Sequence, residues 1–237
     1  MKSSLRVLIT LLKEKGFLHV IRTTSAYLLH RLFYAPKYFV FHGKKYRYFF
    51  HPVVWRCERV VEIPVILEIV KSYSGKSLLE VGNVLSNYLP VNHTILDKYE
   101  IASGVINEDC VSFAPSERYD LIVSISTLEH VGWDEKPLDH FKILPAVRNL
   151  YRLLRANGKI IFTVPLGYNP ELDACIKTNK LKLTKVVYLK RISKHNVWKE
   201  SSWNEVKNAK YNWPFACANA LCVCEITKPR NKKTKVL

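Results

Sequence analysis

Acidic side chains stand at the ends of three predicted strands in the first half of the chain. Glu80 lies in an apolar run that ends at Gly82, Asp97 closes the next run, and Asp109 closes the third. The carboxyl ends of parallel strands meet at one edge of a sheet, and ligands gather outside that edge. Carboxylates placed there can accept hydrogen bonds from ribose hydroxyls or bind a cationic ligand. The spacing therefore predicts a ligand crevice lined by these acids.

The elements that would position these acids are runs of aliphatic residues typical of buried parallel strands. Five such runs cover residues 77–82, 93–97, 104–109, 119–125 and 158–165. Two later strands are predicted at 183–192 and 220–227, on either side of a tryptophan-containing segment at 196–214. The pattern predicts an open, parallel α/β sheet.

Helical periodicity surrounds these runs. Residues 53–73 predict a helix that leads into the sheet and is interrupted by Pro64. Apolar residues repeat every three to four positions between 138 and 154, after Pro137, which suits a first helical turn. Pro145 is expected to kink or split this helix.

The N-terminal region reads as a basic helical extension. A capped helix is predicted at residues 3–15, with Gly16 as its stop, and an amphipathic helix at 17–33. Residues 34–50 are rich in aromatic and basic side chains. Such an extension can lie at a membrane interface or pack as a lid on the core domain, and both alternatives remain open.

The charge distribution divides the chain in the same way. It has 37 Lys and Arg against 20 Asp and Glu, a net charge of +17. The excess lies in residues 1–50 and 177–237, whereas residues 51–176 carry −4. Basic flanks indicate contact with an anionic surface or substrate, and a solvated lysine-rich surface is the alternative.

The predicted domain boundaries follow these shifts in composition. They are a basic amphipathic helical and aromatic extension at 1–52, the α/β domain at 53–228 and a basic tail at 229–237.

The cysteines predict neither disulfides nor a metal site. None of the six forms a Cys-x-x-Cys pair, and no histidines cluster at metal-ligand spacing. This usage fits a reducing cytoplasm. The strongest apolar run near the N-terminus, Val7 to Leu12, is far shorter than the roughly 20 residues that span a bilayer. A transmembrane anchor is therefore not expected, and the predicted location is cytoplasmic, with peripheral membrane contact as an option.

The order of several short motifs resembles the class I S-adenosylmethionine (SAM)-dependent methyltransferases, of the methyltransferase type 11 kind. The motifs are Leu-Leu-Glu-Val-Gly, Leu-Asp, Glu-Asp-Cys-Val-Ser-Phe, Tyr-Asp-Leu-Ile-Val-Ser, Leu-Glu-His and Leu-Leu-Arg-Ala-Asn-Gly-Lys-Ile-Ile-Phe, within residues 75–228. The resemblance implies a Rossmann-like, seven-stranded, mostly parallel sheet with helices on both faces and an antiparallel last strand. It also implies S-adenosyl-L-methionine as the cofactor.

The resemblance also implies roles for single residues. Glu80 and Gly82 are similar to the loop that approaches the methionine part of the cofactor. Asp97 is similar to the acid that binds the ribose hydroxyls, and Asp109 to the residue that holds the adenine amino group. Ser126, the first residue of the stretch up to 130, would help to line the site where methyl group and acceptor meet.

One loop departs from the family pattern. The family repeats glycine after the first acid, whereas Val84 and Ser86 stand here where later glycines would fall. The cofactor's amino-acid end is therefore expected to be held differently or weakly. The same loop lacks Gly-x-Gly-x-x-Gly, which disfavours a dinucleotide dehydrogenase.

His130 is the candidate catalytic base because it follows the fourth strand and histidine is the residue type suited to proton transfer at neutral pH. Glu129 is grouped with it as catalytic, and a structural histidine held by Glu129 is the alternative. Trp133, Tyr168 and Asn169 follow strand ends and are candidate walls for an acceptor pocket.

The resulting hypothesis is SAM-dependent methyl transfer to a small-molecule, glycan or lipid-linked acceptor. The alternative is a catalytically silent, methyltransferase-like module that binds an anionic partner, a membrane surface or nucleic acid, through its basic flanks. A nucleic-acid methyltransferase is less favoured, since neither an aromatic acceptor motif nor a recognition domain is visible.

Overall fold

The computed structural model describes residues 16–230 of the 237-residue chain. The helix predicted at residues 3–15 and all but the first two residues of the predicted tail lie outside the described residues.

The α/β domain is built on one eight-stranded sheet. Its spatial order is β5-β4-β3-β6-β7-β10-β8-β9. The strands are β3 Leu78–Val81, β4 Thr94–Leu96, β5 Val105–Ile106, β6 Tyr119–Ile125, β7 Leu154–Pro165, β8 Lys185–Arg191, β9 Trp198–Ser201 and β10 Ala220–Thr227.

The sheet is mostly parallel. Strands β5, β4, β3, β6 and β7 pair in parallel, and β10 runs antiparallel between β7 and β8. The Rossmann-like sheet expected from the resemblance is confirmed, with all seven predicted strands present. Strand β9 adds an eighth, antiparallel to β8, at the edge. The chain leaves β3 toward β4 and later returns beside β3 as β6, so the order reverses between β3 and β6, where a crevice forms in such sheets.

Successive side chains of the strands enter two different cores. On β6, Ile122 packs with the helices α3 (Ile143–Leu153) and α4 (Pro170–Lys177), whereas Leu121 and Val123 pack with α2 (Arg59–Ser72). This alternation follows from the two-residue period of a strand. Helices therefore cover both faces, as predicted.

Two helices begin later than their sequence patterns indicate. Helix α2 starts at Arg59 rather than at residue 53, and the predicted interruption at Pro64 was wrong, because the helix continues through Pro64 to Ser72. Helix α3 starts at Ile143, so Pro145 lies in its first turn and does not split it. A first-turn residue has no intrahelical acceptor for its N–H, and proline therefore costs little there.

The extension contains a hairpin as well as a helix. Helix α1, Phe17–Leu29, continues as a π-helical turn, His30–Tyr34, which confirms the predicted helix. Residues 34–50 then include an antiparallel hairpin of β1, Tyr38–Phe41, and β2, Lys44–Arg47. Within residues 16–230 no helix is both long and apolar enough to cross a bilayer.

The prediction of no disulfides was wrong, because Cys57 and Cys217 are bonded to each other. Their Cα atoms lie 5.2 Å apart although 160 positions separate them in sequence. A pairing so distant in sequence has no local signature, since it depends on the fold that brings the segment before α2 beside the segment before β10.

Asn149 ties helix α3 to the loop that carries Asp109. Its Nδ2 donates to the carbonyl oxygens of Cys110 and Phe113, both at 2.9 Å.

Asn149→Ala is expected to lower the free energy of unfolding by about 1–2 kcal/mol, because two carbonyl groups lose their donor. Urea denaturation measures this change. Arg148→Ala, at the exposed neighbouring position in the same helix, is the control and should change stability by less than about 0.5 kcal/mol. Equal effects of the two substitutions would contradict the role given to Asn149.

Candidate functional site

Glu80 supports the loop after β3 from inside the protein. Its side chain is fully buried, and Oε1 accepts the backbone N–H groups of Val84 at 3.0 Å and Leu85 at 2.8 Å. Oε2 lies 2.7 Å from Nε2 of His93. The structure therefore places Glu80 beneath the crevice rather than in its lining.

Gly82 brings the backbone of the same loop against the loop after β6. Its φ is +87°, and a Cβ at this position would lie 2.1 Å from Oγ1 of Thr127. Its N–H donates to the carbonyl oxygen of Leu96 at 2.8 Å. Only glycine satisfies both the left-handed backbone and the close approach. Gly82 lines the crevice.

Asp97 joins the ends of β3 and β4. Its Oδ2 accepts the N–H of Asn83 at 3.1 Å, and its Oδ1 accepts those of Tyr99 and Glu100, both at 2.8 Å. A carboxylate has about four acceptor positions. One position on Oδ2 therefore remains for a ligand, so Asp97 can bind one hydroxyl fully rather than a diol through two free oxygens.

Asp109 lies in an ion-pair network with three side chains that the sequence analysis did not select. Its Oδ2 lies 2.6 Å from Nζ of Lys142 and 2.9 Å from Nζ of Lys98, and Glu135 contacts both lysines. Burial alone would raise the pKa of Asp109, but the hydrogen bonds from Lys142, the Val111 N–H and Lys98 lower it to about 2. Asp109 is therefore ionised and already paired.

These residues enclose a small cavity at the reversal point of the sheet. Gly82, Asp97, Asp109, Thr127 and His130 are among its lining residues. Its volume is about 80 Å³, against roughly 300–1,000 Å³ for typical ligand pockets. Lys98 and Glu135 also line it. Because the Lys98 side chain is 35% exposed, its movement toward solvent is the simplest way to enlarge the cavity.

Ser126 does not line the cavity. Its Oγ donates to Glu62 of α2, and its carbonyl oxygen accepts from Arg59 at 3.3 Å. Its backbone φ is +37°, and its N–H donates to Oγ1 of Thr163 at 3.1 Å. The structure thus places Ser126 in a buried polar cluster with α2, apart from the other predicted cofactor residues.

His130 lies at the mouth of the cavity and is held by Asp134 rather than Glu129. Its Nδ1 hydrogen bonds to the Asp134 carboxylate, to which the Tyr168 hydroxyl also donates at 2.6 Å. Its Nε2 is 3.8 Å from Oε1 of Glu129, beyond hydrogen-bond distance. The Asp134–His130 contact orients the imidazole and leaves Nε2 for a ligand. A turn brings the two residues together, in which the Asp134 N–H donates to the carbonyl oxygen of His130 at 3.1 Å.

The environment of Glu129 favours the neutral form of its carboxyl group. It is 1% exposed, and burial raises its pKa well above the ordinary value. Its Oε2 has no hydrogen-bond partner within residues 16–230. Its backbone oxygen accepts from Nδ2 of Asn169 at 2.8 Å, which fixes the loop after β6 against α4. Because Glu129 does not line the cavity and His130 does, the geometry assigns the capacity to act as a base to His130.

The candidate acceptor walls occupy different places. Tyr168 contacts His130, as its ring lies 4.9 Å from the imidazole. Asn169 is 3% exposed and caps α4, whereas Trp133 packs against His140. Among residues 16–230, one group has the proximity of metal ligands: Cys57, Glu58 and Cys217, whose two sulfurs form the disulfide.

Comparisons with known proteins give distant structural likenesses. No family model matches the chain, and no curated protein matches it. A SAM-dependent methyltransferase from Archaeoglobus fulgidus is 14% identical, with a TM-score of 0.46 over 73% of this chain and 96% of that one. The N-methyltransferase NodS from Bradyrhizobium japonicum, in complex with S-adenosyl-L-homocysteine, is also 14% identical, with a TM-score of 0.44 over 70% and 85% of the chains. At such low identities and TM-scores, the fold is assigned from the strand order. Any activity has to be argued from the geometry of the site.

Gly82→Ala is expected to destabilise the protein by about 3 kcal/mol or more, because it adds a steric overlap with Thr127 to the strain of a positive φ. Gly104→Ala is the matched control, since Gly104 has a φ of +82° and open space around it. The control should lose only about 1–2 kcal/mol. Adding Thr127→Gly to Gly82→Ala should remove the overlap and so recover the extra free energy of unfolding that Gly82→Ala loses relative to Gly104→Ala. Urea denaturation measures these free energies. If both glycine variants were equally stable, the close approach would be refuted.

Proposed function

We propose that the chain is a SAM-dependent methyltransferase that acts on a small-molecule, glycan or lipid-linked acceptor. The observation that carries this proposal is the junction of the loops after β3 and β4. Gly82 brings bare backbone to the crevice, and Asp97, bonded to the N–H of Asn83, presents a carboxylate beside it. The junction lies at the reversal point of the sheet, where nucleoside ligands bind in such folds.

The chemistry of the lining residues fits an adenosyl group. The remaining acceptor position on Asp97 suits a ribose hydroxyl, and Leu96, Cys110 and Val131 offer apolar walls for an adenine ring. Asp109 can accept a hydrogen bond from the adenine amino group only if Lys98 or Lys142 moves away from the carboxylate. The fit therefore requires the ion-pair network to open on one side.

When bound, SAM would supply an activated methyl group on a sulfonium, whose leaving group needs no acid. The protein's part is then mainly to hold the two reactants in line. His130 would accept a proton at Nε2 from a hydroxyl or ammonium acceptor, with Asp134 stabilising the resulting imidazolium. Glu129 would act as a positioning residue, through its backbone contact with Asn169.

A second candidate function is the silent module that binds an anionic partner. The small cavity and the occupied carboxylates of Asp97 and Asp109 favour it. The two functions differ in whether the crevice binds the cofactor.

Calorimetric titration with SAM and S-adenosyl-L-homocysteine separates these functions. Wild-type protein is expected to bind both, and Asp97→Asn to bind about ten-fold or more weakly, since a charge-assisted hydrogen bond to the ribose is lost. Lys98→Ala should bind at least as tightly as wild type. Asp120→Asn is the control. It alters a carboxylate that is paired with Arg155 at the start of β6, away from the carboxyl ends of the strands. If the protein bound neither ligand, the methyltransferase proposal would be wrong and the silent module would be favoured.

We further propose peripheral contact to an anionic membrane through the extension, whereas the Cys57–Cys217 disulfide removes the argument from cysteine usage for a reducing cytoplasm. Helix α1 and its π-helical turn expose several large apolar side chains to solvent. Val20 and His30 face the protein, whereas Leu18, Leu32 and Phe33 are 72–83% exposed. Residues 16–57 contain seven Lys and Arg and no Asp or Glu. An apolar face within an acid-free basic segment suits the interface of an anionic bilayer better than it suits water. Nucleic acid is the less favoured partner.

Sedimentation with vesicles of mixed phosphatidylglycerol and phosphatidylcholine measures this contact. The variant Leu32→Ser, Phe33→Ser is expected to bind about ten-fold more weakly, because two side chains no longer enter the apolar layer. Leu138→Ser, Phe141→Ser is the matched control, since these side chains are 50% and 76% exposed on the α/β domain. Unchanged binding of the first variant, or equal loss in both, would argue against the proposed face.

A further inference from the structure

A second cavity lies between the π-helical turn of the extension and the loops that follow β8 and precede β10. Its volume is about 440 Å³, within the range of small-molecule sites. It shares no lining residue with the crevice at β3 and β4. Its walls include His30 and Tyr34 from the extension, Arg56 from the segment before α2, and Lys194 and His195 from the loop after β8.

The lining of this cavity is cationic and contains no carboxylate. Arg56, Arg191 and Lys194 contribute permanent positive charges. Arg191 is 6% exposed, and its guanidinium donates to the carbonyl oxygens of Ala216 at 2.7 Å and Arg56 at 3.0 Å. Burial lowers its pKa to about 10, so it remains charged at neutral pH. Arg191 thus holds the walls together and places a buried charge behind them.

Arg56 and Lys194 have donors available for a ligand. The guanidinium of Arg56 lies over the ring of Trp55, 4.5 Å from its centroid, and makes no hydrogen bond or ion pair within residues 16–230. The Lys194 ammonium has no anionic partner in the same part of the chain. Stacking fixes the plane of the Arg56 guanidinium and leaves its edge free, which is the geometry that binds phosphate.

His30 supplies an unpaired acceptor. It is 5% exposed, and its Nε2 lies 3.2 Å from the carbonyl oxygen of His195, to which it must donate. Burial lowers the pKa of His30, so the ring is neutral at neutral pH and Nδ1 carries a lone pair. That nitrogen is buried and has no partner within residues 16–230. A buried acceptor without a donor is costly, and a ligand hydroxyl would satisfy it.

We infer that this cavity binds a phosphate ester that carries a neighbouring free hydroxyl. The phosphate would pair with Arg56 and Lys194, and the hydroxyl would donate to Nδ1 of His30. The stacked rings of Tyr34 and His195, with centroids 4.5 Å apart and planes 8° apart, would form a flat side of the site. The ligand is a soluble phosphate ester or the headgroup of a hydroxyl-bearing phospholipid. The inference does not depend on cofactor binding in the crevice.

The first test uses calorimetry with two soluble probes, glycerol 3-phosphate and inorganic phosphate. The double variant Arg56→Gln, Lys194→Gln should bind glycerol 3-phosphate about ten-fold or more weakly than wild type. The charge-matched control Arg22→Gln, Lys37→Gln removes two exposed cations outside the cavity and should bind as wild type does. Circular dichroism verifies that each variant is folded.

His30→Phe separates the hydroxyl from the phosphate. This variant keeps a ring against Trp55 and should lose about ten-fold in affinity for glycerol 3-phosphate, yet bind inorganic phosphate as wild type does. Where wild-type protein binds glycerol 3-phosphate, equal affinity of the two double variants for it would overturn the phosphate site. Unchanged binding of glycerol 3-phosphate by His30→Phe would overturn the hydroxyl contact.

A vesicle arm identifies the source of the ester. Phosphatidylglycerol has glycerol hydroxyls in its headgroup, whereas phosphatidylcholine has none. If Arg56→Gln, Lys194→Gln loses more affinity for phosphatidylglycerol vesicles than Arg22→Gln, Lys37→Gln does, the ligand is a lipid headgroup. If the two double variants differ in affinity for glycerol 3-phosphate but not for phosphatidylglycerol vesicles, the ligand is a free phosphate ester. No binding of wild-type protein to glycerol 3-phosphate and equal vesicle binding by both variants would refute the site.

Discussion

The buried carboxylate of Glu80 fixes the loop on which the rest of the crevice depends. It accepts two consecutive backbone N–H groups, from Val84 and Leu85, and contacts His93 beside β4. Hydrogen bonds to a buried carboxylate are strong because little water competes with them. This contact turns the chain sharply after Gly82 and keeps Asn83 against Asp97.

The same contact explains why the loop needs only one glycine. Val84 packs into the core on the α2 side of the sheet, and Ser86 donates to the side-chain oxygen of Asn83. Neither position borders the cavity. Close approach is required at Gly82 alone, where the loop meets Thr127. The departure from the glycine-rich pattern thus changes the packing of the loop and leaves bare backbone at the crevice.

The strands and the crevice were predictable because their signals are local. Buried parallel strands are continuous aliphatic runs, and Gly82, Asp97 and Asp109 all came to the same edge of the sheet. Asp97 was predictable in position but not in pairing, since its three donors belong to backbone turns. Helix α4 was missed although Asn169 caps it and Pro170 begins it, a recognisable start signal.

Other features depend on contacts that sequence spacing does not encode. Lys142 reaches Asp109 from a different element, 33 positions later, and Lys98 reaches Glu135 across 37. Ser126 follows β6 as expected, but its positive φ directs it toward Glu62. Strand β9 pairs only at the sheet edge, where a short segment gains its partners from β8. These interactions determine how open the crevice is, which is why its volume could not be predicted.

The central claim is that an adenosyl ligand binds where the loops after β3 and β4 meet. The most direct measurement is an amide NMR spectrum of ¹⁵N-labelled protein, recorded with and without S-adenosyl-L-homocysteine. Binding at the junction predicts the largest shifts for Gly82, Asn83, Tyr99 and Glu100, the last three of which donate to Asp97. Large shifts elsewhere with none at these four amides, or an unchanged spectrum at millimolar ligand, would contradict the account.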